Sequence, residues 1–356
     1  MRVVIAGGGT GGHIIPALAI ADELKFTRGA EILIIGTPRG LESQLVPKAG
    51  YPLSLIPVGQ LNNVSFSTKA RTVADLPLGL ARCGRLLHQF KPDVVIGVGG
   101  YASGPTMVAA ILMRIPTLAY EPNAYPGMAN RIVGRLVSAA AVNFPESTKY
   151  FHNAQITGVP VRAEFFKLQS RPAAAPPHLL IFGGSQGARI FNTTMPRIAA
   201  SLLATVPGLT ILHQAGARHA EATLAAYEAS GAPSGRWEVH AFLDDMPRRY
   251  EAADLILSRS GATTVGEHCA AGKASLLVPF PLAADDHQRK NAEAMVQAGA
   301  ARMLLESEMT AERLQESLVQ LLTSRGELDQ MAKNAKNLAS PDATRKIGSI
   351  VRAIMK

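Results

Sequence analysis

The chain predicts a doubly wound α/β protein of two domains, each built on a parallel sheet. Three observations carry that expectation. Apolar runs of strand length alternate with helical patterns along the whole chain. A Pro/Ala-rich stretch divides these runs into two series. Each series opens with the same design, a strand followed by a glycine turn and a helix.

The first series is Val3–Ala6, Ile32–Ile35, Val94–Val98 and Thr117–Tyr120. The second is Leu179–Phe182, Leu209–Leu212, Leu255–Leu257 and Ala274–Val278. Strands apolar on both faces belong to parallel sheets covered by helices on both sides. The segment between the series contains Pro172, Ala173, Ala174, Ala175, Pro176 and Pro177 and reads as a linker. The expected organisation is a first domain over 1–163, a linker over 164–177, a second domain over 178–340 and a terminal helix over 341–356. Ile347, Ile350, Val351 and Ile354 give that helix its apolar spacing. Periodicity leaves open whether it packs on its own domain or crosses to the first.

At 356 residues, 47% hydrophobic and 18% charged, the chain fits two globular domains with sizeable cores. Aromatic residues make up 5%, too few for a base-stacking single-strand binder. The net charge of +9 suits an anionic partner, whether nucleotide phosphates, a pyrophosphate lipid, a membrane surface or nucleic acid. A generally basic surface accounts for the charge equally well. Cys83 and Cys269 stand in no metal-ligand pattern and suggest no disulfide framework, which fits a reducing compartment. The longest apolar stretch, Pro105 to Tyr120, is broken by Arg114 and Pro116, so membrane contact is expected to be peripheral.

Gly7, Gly8, Gly9, Thr10, Gly11, Gly12 and His13 follow the first strand. Such a turn lets the backbone approach an anion, and the helix N-terminus favours negative charge. Gly7, Gly9 and Gly12 fit the dinucleotide spacing, but that fingerprint also needs a carboxylate after the second strand. Gly36-Thr37-Pro38-Arg39 supplies none, so a nicotinamide site is disfavoured. A P-loop motif is missing as well. The turns Gly97–Pro105 and Tyr120–Asn123 end further strands, where doubly wound sheets bind ligands. They offer Tyr101, Ser103, Glu121 and Asn123, each of which also has a turn-making or capping explanation.

In the second half, Gly183-Gly184-Ser185-Gln186-Gly187 repeats the anion turn. Arg259-Ser260-Gly261-Ala262-Thr263-Thr264-Val265-Gly266-Glu267 forms a strand end and a helix start, with Ser260 or Gly261 as the cap. Glu267 lies about two turns into that helix, where a carboxylate can take two ribose hydroxyls or simply face solvent. Asp285, Asp286, His287 and Gln288 follow another strand and can address sugar hydroxyls.

These motifs, in this order, resemble the MurG family of bacterial glycosyltransferases. The resemblance rests on Gly-Gly-Thr-Gly-Gly-His, Gly-Gly-Tyr-Ala-Ser-Gly-Pro, Glu-Pro-Asn, Gly-Val-Pro-Val-Arg, Gly-Gly-Ser-Gln-Gly-Ala-Arg, Arg-Ser-Gly-Ala-Thr-Thr-Val-Gly-Glu and Asp-His-Gln. It implies a GT-B architecture, two Rossmann-like domains facing a cleft. It also implies transfer of N-acetylglucosamine (GlcNAc) from UDP-GlcNAc to the C4 hydroxyl of undecaprenyl-pyrophosphoryl-MurNAc-pentapeptide (lipid I). The products are lipid II and UDP, with inversion to a β linkage.

By the same resemblance Glu267 binds the ribose, and the backbone at Leu243 reads the uracil. Ser185 and Arg162 lie near the diphosphate, and Gln288 holds the GlcNAc hydroxyls. Thr10, Gly11, Gly12 and Asn123 form the first-domain side of the donor site. Ala262, Thr263, Thr264, Val265 and Gly266 complete the donor contacts. No cofactor or metal is expected, and no Asp-x-Asp motif stands out. The implied partners are UDP-GlcNAc, lipid I, an anionic membrane surface and other cell-wall synthesis or division proteins, with no nucleic acid. The implied location is the cytoplasmic face of the bacterial plasma membrane.

The acceptor hydroxyl must lose a proton, and His13 is the first candidate base, with Glu121 its rival. A third reading has His13 only bind phosphate or cap the helix. Membrane contact is expected from Lys69 to Lys91, where Leu76, Leu80, Cys83 and Leu87 face the core at helical spacing. The basic residues of the stretch are Lys69, Arg71, Arg82, Arg85 and Lys91, and some of the remaining leucines (Leu78, Leu86) and arginines are left for the bilayer. The alternative activities are another GT-B enzyme, such as a lipid glycosyltransferase or a UDP-GlcNAc 2-epimerase, and a non-catalytic basic scaffold.

Overall fold

The computed structural model describes residues 1–8, 11–38, 40–56, 66–169, 171–172 and 175–355, with the side chains of residues 66–76 left aside. Two units divide the described chain. One comprises Met1–Val161 with Asp342–Lys356, the other Arg162–Pro341.

The first unit runs β1 (Arg2–Ala6), α1 (Gly11–Arg28), β2 (Glu31–Gly36), α2 (Glu42–Lys48), β3 (Leu53–Leu55), α3 (Phe66–Phe90), β4 (Val94–Gly97), α4 (Ser103–Leu112), β5 (Thr117–Glu121), α5 (Met128–Val133), β6 (Ala139–Val142) and β7 (Ala154–Ile156). Its seven strands lie in the order β3-β2-β1-β4-β5-β6-β7, and each neighbouring pair is parallel. Side chains alternate across the sheet. Val3, Ile5, Ile32, Ile34, Val94 and Ile96 face α1 on one side. Val4, Ala6, Leu33, Ile35 and Val95 face α3 and α4 on the other. Both faces are therefore dry, which is why the strands read as unbroken apolar runs.

The second unit runs α6 (Ala163–Phe166), β8 (His178–Phe182), α7 (Arg189–Thr205), β9 (Thr210–Gln214), α8 (Ala220–Glu228), β10 (Trp237–His240), α9 (Met246–Ala252), β11 (Leu255–Ser258), α10 (Ala262–Ala271), β12 (Ala274–Leu277), α11 (His287–Gln297), β13 (Ala301–Met303), α12 (Ala311–Thr323) and α13 (Arg325–Asn337). The strand order is β10-β9-β8-β11-β12-β13, again parallel. α7 and α12 cover one face through Phe191, Met195, Leu202, Leu314 and Leu318.

The last helix, α14 (Ala343–Ile354), packs against α1 in the first unit. Ile347, Ile350 and Val351 join the same buried cluster as Ile14, Ala17 and Leu24. Deleting one such side chain, as in Ile350→Ala, costs about 2–5 kcal/mol.

The stretch expected as a linker is not a free tether. α6 occupies Ala163–Phe166, and Phe165 is fully buried against Tyr250 at 5.0 Å between ring centroids. Arg171 pairs with the buried Asp254, which also accepts from the His178 amide at 2.9 Å and from Arg325 at 2.9 Å. Helix α1 begins at Gly11.

Both sheets reverse strand order once, between β1 and β4 and between β8 and β11. At such a reversal the loops leaving two adjacent strands diverge and open a crevice beyond the strand ends. Each unit therefore has one such place for a ligand.

Candidate active site

In the first unit the loops after β1 and β4 interlock. A Cβ on Gly7 would meet the Val98 side chain at 2.2 Å, and one on Gly100 would meet the Gly8 carbonyl oxygen at 2.2 Å. These glycines permit loop-to-loop contact as well as close approach to a ligand. Gly99, with φ of +88°, lies under the ring of His13, where a Cβ would stand 2.8 Å from Cε1. His13 Nδ1 lies 3.0 Å from the Val98 carbonyl oxygen. A carbonyl only accepts, so Nδ1 carries a proton, and the neutral form of the ring has its lone pair on Nε2. Gly12 is exposed in the first turn of α1 beside Gly11, and Thr10 lies outside the described residues.

The carboxylate missing from the end of β2 is supplied from α2. Glu42 is fully buried, and its Oε1 accepts from the amide and hydroxyl of Thr37, both at 2.8 Å. Cβ atoms on Gly8, Gly36 and Gly40 would each collide with it. It props the opening turn from beneath and is closed to a ribose. Sequence spacing does not single it out, because its contact with Gly8 spans 34 positions and exists only in the folded sheet.

Glu121 ends β5 and is 2% exposed. Oε1 accepts from the Asn123 amide and from its Nδ2, both at 3.0 Å. Oε2 accepts from the Gly127 amide and from Asn130 Nδ2, also at 3.0 Å. Burial raises its pKa, and these donors oppose the rise. A carboxylate so enclosed fixes the loop that carries Asn123, and its lone pairs are committed to that task. Ser103 is buried against Gly97.

In the second unit α10 begins at Ala262 and is capped by Gly261, which offers no side-chain acceptor. Its first amides therefore lack a capping partner of that kind. Thr263 Oγ1 is buried there without a partner among the described residues. Ser260, expected as a possible cap, instead donates its hydroxyl to the Gln288 carbonyl at 2.8 Å. Ala262 and Val265 are buried, while Thr264 and Gly266 are partly exposed on the same helix.

Glu267 is held near Arg162, with Nη2 to Oε1 at 3.8 Å. Burial pushes its pKa up to about 7, and the Arg162 guanidinium pulls the other way. Tyr250, itself buried, has no hydrogen-bond partner for its hydroxyl among the described residues and feels the Glu267 charge. Gln288 Oε1 accepts from the Phe280 amide at 3.0 Å and the Ser260 amide at 3.3 Å. Its Nε2 donors are what remain for a ligand. Asp285 and Asp286 adopt left-handed backbone, with φ of 54° and 53°, and His287 bonds the Ala284 carbonyl at 2.6 Å. Ser185 is exposed in the Gly183–Ala188 turn, and Leu243 is buried beyond the end of β10.

Residues 3–142 match the glycosyltransferase family 28 N-terminal domain, and residues 178–347 match its C-terminal domain. A UDP-N-acetylglucosamine--N-acetylmuramyl-(pentapeptide) pyrophosphoryl-undecaprenol N-acetylglucosamine transferase from Solibacter usitatus is 41% identical over 355 residues, covering 99% of this chain and 96% of the relative. The chain belongs to this transferase family. A crystal structure of MurG from Acinetobacter baumannii superposes with a TM-score of 0.83 at 33% identity, covering 99% of both chains. A putative UDP-N-acetylglucosamine 2-epimerase from Listeria monocytogenes superposes with a TM-score of 0.68 at 12% identity, covering 98% of this chain and 94% of that one. The last shares the fold alone. The protein is thus a family 28 glycosyltransferase with two GT-B Rossmann-like units.

Proposed function

We propose that the chain transfers GlcNAc from UDP-GlcNAc to the C4 hydroxyl of lipid I, giving lipid II and UDP with inversion. The observation that carries this reading is its near full-length similarity to transferases named for that donor and acceptor. The unit architecture supports it, since each sheet reversal is lined by the groups such a reaction needs.

The donor is assigned to the second unit. Glu267 accepts the ribose hydroxyls, Leu243 addresses the uracil, and Gln288 donates to the sugar. As UDP leaves, negative charge grows on the β-phosphate and the sugar gains oxocarbenium character. The α10 N-terminus, Ser185 and Arg162 oppose that charge, and such preorganised donors need no rearrangement as the bond breaks. The acceptor is assigned to the first unit. His13 Nε2 takes the C4 proton as the oxygen attacks the anomeric carbon, and the proton ends on the imidazole. Val98 holds the tautomer that makes this possible. Glu121 serves as scaffold in this reading, with Asn123 presented on the loop it fixes.

Lipid I resides in a bilayer, so the enzyme works as a peripheral protein on the cytoplasmic face. Among the described residues no helix is long and apolar enough to cross a membrane.

The test is UDP release with and without a soluble lipid I analogue. The expected result is release that requires the analogue, with a GlcNAc-MurNAc product. Acceptor-independent release, or exchange between GlcNAc and ManNAc nucleotides, would move the chain to an epimerase or another GT-B activity.

A further inference from the structure

Gln214 is the last residue of β9 and is 3% exposed. Its Nε2 donates to the Gly184 carbonyl at 2.9 Å, and its Oε1 accepts from the Leu243 amide at 3.0 Å. The two partners fix the orientation of the amide. A carbonyl can only accept, so NH2 must face Gly184; a backbone N–H can only donate, so the oxygen must face Leu243. One buried side chain thus joins the glycine turn after β8 to the segment after β10. The loops around it are locked as well. A Cβ on Gly187 would meet the Ala215 carbonyl oxygen at 1.8 Å, and one on Gly216 would meet the Gln186 carbonyl oxygen at 2.1 Å.

We infer that Gln214 is the positioning residue for selection of the donor's base. The inference rests on the reading that Leu243 faces that base. With the Leu243 N–H engaged by Gln214, its carbonyl oxygen remains as the reading group. An acceptor selects a base that presents an imide N–H, as uracil does. Cytosine carries a bare acceptor at the same ring position, and two acceptors repel. The bond to Gly184 ties this base reading to the turn assigned to the diphosphate, so both halves of the nucleotide meet one rigid frame.

The two bonds separate by substitution. Gln214→Leu removes both and leaves the buried Leu243 amide and the more exposed Gly184 carbonyl without this partner. Gln214→Glu keeps an acceptor for Leu243 and loses the donor to Gly184. The measurement is calorimetric binding of UDP and CDP to the full chain, with thermal unfolding as a check on folding. The wild type is expected to prefer UDP. Gln214→Leu is expected to weaken UDP about tenfold and bring the UDP/CDP ratio close to one. Gln214→Glu is expected to weaken UDP while keeping much of the ratio. An unchanged ratio in folded Gln214→Leu overturns the role of Gln214 alone. If that variant does not fold, a Gln214→Glu protein binding UDP as tightly as wild type overturns it. A wild type without UDP/CDP preference removes the Leu243 reading, and this inference with it.

Discussion

His13 donates from Nδ1 to the Val98 carbonyl across the one strand-order reversal of the first unit, at 3.0 Å. The bond joins the loop after β1 to the loop after β4 and fixes which ring nitrogen holds the lone pair. A general base contributes about 10²- to 10⁴-fold to a rate. His13→Ala is therefore expected to lower kcat by at least about a hundredfold, with calorimetric UDP-GlcNAc affinity nearly unchanged. Turnover within a few-fold of wild type would remove the base assignment.

Gly99 makes that geometry possible. Its backbone is left-handed, and a Cβ would press on Cε1 of His13. Gly99→Ala is expected to lower kcat while sparing donor binding, because the imidazole must shift. Combined with His13→Ala it should add little further loss in kcat. Independent, fully additive losses would show that Gly99 acts elsewhere.

Glu121 should behave differently from His13. It is enclosed by four N–H donors, and removing a buried charged acceptor leaves them unpaired. Glu121→Ala is expected to destabilise the first unit by about 3 kcal/mol or more, seen as a lower denaturation midpoint. His13→Ala should move that midpoint little. A stable Glu121→Ala protein lacking only turnover would restore Glu121 as the base.

The fold was legible because strands buried on both faces leave continuous apolar runs, and parallel crossovers leave helical patterns between them. The strands without such a signal are short or lie at sheet edges. β3, β7, β10 and β13 are partly exposed, and β6 is three alanines and a valine. Alanine has little strand preference, so only its neighbours make it a strand. At the site, Glu267 and Gln288 stand in recognisable motifs. Glu42 and Gln214 do not. Gln214 meets partners 30 and 29 positions away, and Glu42 bonds to nearby Thr37 but supports Gly8, 34 positions away; no local pattern encodes such meetings. The roles of Ser260 and Glu121 also depended on where their hydrogen bonds go.

Glu267 predicts two opposite pH effects. Its folded pKa, about 7, lies above the ordinary carboxylate value because burial disfavours the charge. The folded protein therefore holds this proton more tightly than the unfolded chain. The stability linked to it is present below the unfolded pKa and is lost as pH rises through about 7. Donor binding should run the other way, since a carboxylate accepts from two ribose hydroxyls better than a carboxylic acid does. UDP affinity is expected to weaken as pH falls below about 7 and to level off above it. In Glu267→Gln that dependence should flatten. A calorimetric pH series on both proteins checks it, and parallel slopes would assign the titration to another group.

The bilayer reading can be tested on side chains the fold leaves exposed. Leu78 of α3, Leu112 of α4, and Ile132 and Leu136 at α5 and just beyond it are all more than half exposed. α3 packs on α4 and α4 on α5, so these residues belong to neighbouring helices on one side of the sheet. Arg82, Arg85, Arg114 and Arg135 are exposed near them in sequence. Cys83 and Leu87 are buried and Leu80 packs on the core, while the side chains of Lys69, Arg71 and Leu76 lie outside the described residues. Burying one such leucine in a membrane contributes about 1.5–3 kcal/mol, and each basic group near an anionic surface about 1 kcal/mol. Leu112→Asp with Leu136→Asp is expected to lower sedimentation with anionic vesicles by at least about tenfold at low salt. UDP-GlcNAc affinity should stay unchanged, because neither Leu112 nor Leu136 is among the residues assigned to the donor. Wild-type protein that fails to sediment with those vesicles would end the bilayer reading.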